Sequence, residues 1–181
     1  SWQALGNLCY SIVIVLTANT YIGGAPDQLR TNSEATDTAG MLNVLNLVIA
    51  FVGGAFSLIF GLLLSRVGPA WTALIVAAIS VAAAVLGALT AALPIDAQYV
   101  TFVLVALSVP GLVSFASDFI EATFGVEHFG TMFGFTAGLV GVFGLLQLVF
   151  VQWAAADGNA VGANYDTVLW CLAALCAASS I

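Results

Sequence analysis

Six long runs of apolar residues, joined by short polar connections, decide what this chain can fold into. A membrane-spanning helix needs about 20 predominantly apolar residues. Segments near 2–23, 40–64, 69–93, 98–122, 129–154 and 165–181 meet or approach that length. Strand-like alternation is absent, as is the series of ~10-residue segments that marks a transmembrane barrel. Only 6% of the residues are charged, against about 25% in soluble domains, which leaves too little polar surface to face water. A mean hydropathy of +1.12 points the same way. The sequence predicts an all-α integral membrane protein, with residues 1–181 forming one six-helix transmembrane unit in a plasma or organelle membrane.

The sparse charges exclude several chemistries. The net charge of -7 comes from carboxylates scattered at the ends of apolar runs rather than from an acidic tail. Two arginines without a lysine cannot neutralise a nucleic-acid backbone. Without lysine there is no Walker-type phosphate loop, no Schiff-base pigment and no lysine-dependent enzyme. A single histidine cannot supply paired haem ligands, and Cys9, Cys171 and Cys176 lack zinc-like spacing. No enzyme, cofactor or metal is expected. The cysteines lie within apolar runs and read as small buried hydrophobes.

Along the chain, Gly24 to Ala39 is the one long connection and reads as a solvated loop. The stretch from Ser65 to Pro69 is a tight turn with proline suited to the next helix start. Leu93 to Asp96 is another, and Asp157 opens the last loop. Arg66 and Arg30 lie in connections on opposite faces, so the positive-inside rule gives a tie. The third run, from Trp71 to Leu93, carries no amide or charge and reads as outer scaffold.

Small residues recur at packing intervals. Gly130, Gly134 and Gly138 form one ridge, and Gly53, Ser57 and Gly61 form another. In lipid such ridges allow close helix approach, and they serve equally for static packing or for sliding. Pro110-Gly111 falls mid-span in the fourth helix, where proline removes a backbone bond and kinks the helix. Together with His128, Gly130 and Gly134 after the fourth helix, these residues are candidate hinges. On the second helix, Asn43, Asn46, Ala50, Gly53, Ser57 and Gly61 make a small polar stripe that should face protein or a cavity. Arg66 shares its membrane face with Asp118 and Glu121 and is expected to pair with one of them, either as a gate or as a static surface pair.

Three stretches carry a family resemblance. The connection Gly61 to Gly68 is similar to the G-x-x-x-D-R-x-G signature of the major facilitator superfamily, with Ser65 in place of the acidic residue and Arg66 retained. His128-Phe129-Gly130-Thr131, then Gly134 and Leu145-Leu146-Gln147, resembles a helix of the L-type amino-acid transporters of solute carrier family 43 and their fungal and protist relatives. Asn19-Thr20-Tyr21-Ile22-Gly23 with Gln28-Leu29 resembles the first helix of the same half.

This resemblance implies the C-terminal six-helix half of a twelve-helix fold. The chain begins at Ser1, and an N-terminal six-helix half is an expected partner. It further implies alternating-access transport of a small organic solute, namely neutral amino acids. Thr17, Asn46, Ser108, Ser114 and Gln147 are the candidate substrate contacts, each with an interhelical hydrogen bond as the alternative role. The rival reading is a transport-inactive structural subunit of a large multi-subunit membrane complex.

The six-helix reading makes a topological prediction. Asn32→Cys and Val67→Cys, each in a background without the native cysteines, should react with an impermeant thiol reagent from opposite faces of the membrane. Labelling of both from one face would refute it.

Overall fold

A backbone crossing hydrocarbon has no water to bond and must satisfy its own N–H and C=O groups. The computed structural model describes residues 2–31, 38–89, 95–156 and 161–179, with no strand among them. The helices are α1 (Trp2–Thr31), α2 (Thr38–Val67), α3 (Pro69–Ala88), α4 (Ile95–Phe124), α5 (Val126–Gly144), α6 (Leu146–Ala156) and α7 (Val161–Ser179). Leu5–Pro26, Ala39–Val67, Pro69–Ala88, Ala97–Phe124 and Val126–Gln152 are each long and apolar enough to cross a bilayer. With 19 residues, α7 reaches about 28 Å. The protein is an all-α integral membrane protein.

Several boundaries differ from the sequence expectation. The first helix does not stop before Gly24 but runs to Thr31 with Pro26 inside it. Leu29 is fully buried and anchors the added turns to the core. Residues 90–94 and 157–160, which hold parts of two expected turns, lie outside the described residues. The expected fifth span is broken at Leu145 into α5 and α6, where Leu145 N–H bonds Val142 O at 3.2 Å and Leu148 N–H bonds Leu145 O at 3.0 Å. These are three-residue steps, tighter than the α-helical four.

Two glycines make the sharp joints. Gly68 (φ 91) links α2 to α3 and Gly125 (φ 77) links α4 to α5. At these angles a side chain would crowd the backbone, so each joint favours glycine. The Gly68 carbonyl accepts from Thr72 Oγ1 at 2.8 Å, securing the first turn of α3.

The packing repeats itself. α1 lies along α7 as α4 lies along α3, and α5 and α6 cover α1 as α2 covers α4. α3 and α7 pack on each other, as do α1 and α4. Exchanging α1–α3 with α4–α7 maps these contacts onto themselves, except that α1 also touches α3 while α4 and α7 do not meet. The first repeat holds three helices of membrane-spanning length, and the second holds α4 and the α5–α6 run of that length together with α7. The flanking elements are hardly buried: 6% of the spanning window in α2 and in α5–α6, against 56% in α1.

The inner contacts rest on small residues. The third helix is not mere scaffold: Thr72, Val76, Ser80, Ala83, Ala84 and Gly87 form a buried face. A Cβ on Gly87 would lie 2.9 Å from Tyr21 Cδ2. One on Gly111 would lie 2.7 Å from Val76 Cγ2 and 2.9 Å from Phe60 Cζ. Gly111 is therefore a three-helix contact point joining α2, α3 and α4. Tyr10 Oη, reaching across from α1, donates to Ala73 O at 2.7 Å. Cys9 and Cys171, expected to be buried, are exposed on the bundle surface, a position that an apolar thiol tolerates against lipid.

Gly111→Ala should destabilise the bundle by about 1–3 kcal/mol, the usual cost of overpacking. Gly134, with no atom within 4 Å of its would-be Cβ, should tolerate alanine with no loss. Thermal unfolding of the two variants in detergent checks the contrast, and equal effects would refute it.

Candidate functional site: a cleft between α1, α2 and α4

An open cleft of about 430 Å³ lies between α1, α2 and α4. Asn19 and Ile22 form its α1 wall, Gly53, Gly54 and Ser57 its α2 wall, and Ala106 and Pro110 part of its α4 wall. The floor of the cleft follows from one backbone defect. Pro110 has no N–H, so Ala106 O, four residues back, loses its normal helical donor. That same oxygen lies 3.7 Å from the point a Gly53 Cβ would occupy. Glycine at 53 thus lets α2 pass close to the freed carbonyl without covering it. The cleft offers this acceptor, the Asn19 amide and Ser57 Oγ, whose proton goes to Gly53 O at 2.9 Å.

The small polar stripe of α2 is turned away from the bundle core. Asn43, Asn46, Ala50, Ser57 and Gly61 are exposed, while Met41, Leu45 and Phe60 on the other side are buried. Gly53 and Ser57 from this stripe reach the cleft. Asn46 lies two turns further along the same helix face. Ser114 is half-buried, one turn beyond Pro110. Gln147 is half-buried on α6, three residues beyond Gly144, whose would-be Cβ lies 3.7 Å from Asn19 Nδ2.

Thr17 and Ser108 do not line this cleft. Both are buried in the bundle interior, where they meet around a separate small cavity with Ser80. Ser80 gives no signal in the sequence, since a serine in an apolar helix can bond its own backbone, as it does here to Val76 O at 2.9 Å. Asn19 and Ser57 were visible as polar residues within spans, but nothing local marked them as neighbours across a cleft. A further buried polar contact, Tyr21 Oη to Gln98 Oε1 at 3.3 Å, links α1 to α4 outside it.

At the end of the bundle carrying the Gly68 and Gly125 joints, Arg66 and Glu121 are exposed and Asp118 is half-buried. Among the described residues no ion pair joins Arg66 to Asp118 or Glu121, so the expected pairing is not made in this structure. Charges at such an end can be solvated singly, and holding two long side chains together costs entropy. His128 is exposed, and its N–H bonds Gly125 O at 3.3 Å. Glu127 in the first turn of α5 complements the helix dipole. Gly130, Gly134, Gly138 and Gly141 meet nothing within 4 Å. The described residues contain no group of side chains able to hold a metal.

No protein-family model, curated protein or solved structure matches the chain.

The exposed, unpaired guanidinium predicts that Arg66→Gln leaves the melting temperature unmoved. A clear fall, read by differential scanning fluorimetry in detergent, would show that Arg66 holds a partner that the structure does not record.

Proposed function

We propose that this chain is one six-helix half of a secondary transporter of major facilitator type. It moves a small organic solute, most specifically a neutral amino acid, by alternating access against a second six-helix bundle. The observation that carries the reading is the Ala106 carbonyl, deprived of its helical donor by Pro110, in a cleft of a bundle whose helix contacts repeat between α1–α3 and α4–α7. Transporters of this architecture bind near the midplane at broken or kinked helices, and irregular backbone at membrane depth is tolerated where it lines a cavity.

A neutral amino acid suits the cleft chemically. Its ammonium group donates to Ala106 O and to Ser57 Oγ, while the Asn19 amide N–H donates to its carboxylate. Asn46, Ser114 and Gln147 extend the polar lining toward the second bundle. The uncovered glycine ladder of α5 and the polar stripe of α2 form the surface on which that bundle moves. Gly53 and the α5 glycines keep the surface low, so the two bodies can slide without interlocking side chains.

The test is uptake of radiolabelled leucine by proteoliposomes containing the full-length protein. Pro110→Ala returns an N–H to Ala106 O and removes the acceptor. Leucine affinity should fall about ten-fold, the low end for losing a hydrogen bond to a charged group, while thermal stability holds or rises, since proline is the poorest helix former. Gln147→Leu should likewise reduce uptake without lowering protein abundance. Wild-type protein that takes up no solute from a panel of neutral amino acids would overturn the transport reading and favour a structural subunit. Normal leucine affinity in Pro110→Ala would overturn the role of the carbonyl.

A further inference from the structure

A second, small cavity of about 10 Å³ lies where α1, α3 and α4 meet, and every residue lining it is buried. Three hydroxyls converge on it, from Thr17 on α1, Ser80 on α3 and Ser108 on α4. Each spends its single proton on its own helix: Thr17 Oγ1 on Val13 O at 2.8 Å, Ser80 Oγ on Val76 O at 2.9 Å, and Ser108 Oγ on Val105 O at 2.8 Å. A hydroxyl has one proton and two lone pairs, so what Ser80 and Ser108 have left to offer is acceptor capacity.

We infer that this cavity is a binding site for one water molecule, which donates to Ser80 Oγ and Ser108 Oγ and ties α3 to α4 beside α1. The size agrees, because about one probe sphere of space admits a single water. The chemistry agrees as well. Water brings two donors to acceptors that cannot donate to each other, whereas purely apolar cavities stay dry. A cation does not fit, since the lining holds no carboxylate and an uncompensated charge at bilayer depth is costly. The inference does not depend on the transport reading, and it gives Thr17 and Ser108 a role inside the bundle instead of at the substrate.

X-ray hydroxyl-radical footprinting tests it, because radicals formed from a trapped water oxidise the side chains beside it. The full-length protein in nanodiscs should show oxidation of Ile14 and Val105, both buried and both lining the cavity. Leu169, fully buried elsewhere in the core, should stay unmodified. In Ser80→Ala/Ser108→Ala, oxidation at Ile14 and Val105 should fall several-fold. Wild-type protein with no oxidation at either residue overturns the site, whether or not the double variant folds. Equal oxidation in wild type and a folded double variant overturns it too, since the water would then need neither serine.

Discussion

Close backbone approach at a few side-chain-free points holds this bundle together. Lipid tails are as apolar as leucine, so burial of large hydrophobes does not by itself drive helices together in a membrane, and packing contacts must. Gly111 brings α4 against Val76 of α3 and Phe60 of α2, and Gly87 brings α3 against Tyr21 of α1. Phe102, Val76 and Ile14 are then enclosed almost completely. The buried hydroxyls of Ser80 and Ser108 sit within the same contacts and bond their own helix backbone, whereas those of Tyr10 and Tyr21 reach across to neighbouring helices.

The pseudo-twofold arrangement places α1 and α4 at the centre and leaves α2 and α5–α6 on the flanks. Both flanking elements turn small residues outward: the α2 stripe from Asn43 to Gly61, and the α5 glycines from Gly130 to Gly141. Gly144 and Gly53 are the points where the flanks approach the central helices, against Asn19 of α1 and Ala106 of α4. Gly68 and Gly125, with left-handed backbones, terminate helices without adding bulk at the joints.

Pro110 and Gly111 are adjacent but act on opposite sides of α4. The glycine is buried against α2 and α3, fixing the helix in the bundle. The proline lines the cleft and deprives Ala106 O of its helical donor. Rigid support on one side and a carbonyl deprived of its i+4 donor on the other meet at one point of the helix. Two neighbouring residues thus divide the structural and the chemical roles of the central helix.

Much of the architecture was legible in the sequence, because spanning length and apolar composition are local properties that lipid enforces. The six runs, the tight turn at Gly68 and the small faces of α2 and α5 could all be read from it. Helix ends could not, since Leu29 extends α1 by packing into the core and the break at Leu145 has no proline to announce it. The polar residues were equally visible, but not their grouping. Thr17 and Ser108 are 91 positions apart yet share a cavity with Ser80, whereas Asn19, two residues from Thr17, opens on a different cleft. Sequence by itself determined that the chain is helical and lies in a membrane, because each span answers to the solvent around it. Only the tertiary structure decided which hydroxyls meet, which carbonyl is left open and which faces stay uncovered, because those depend on how helices distant in sequence cross.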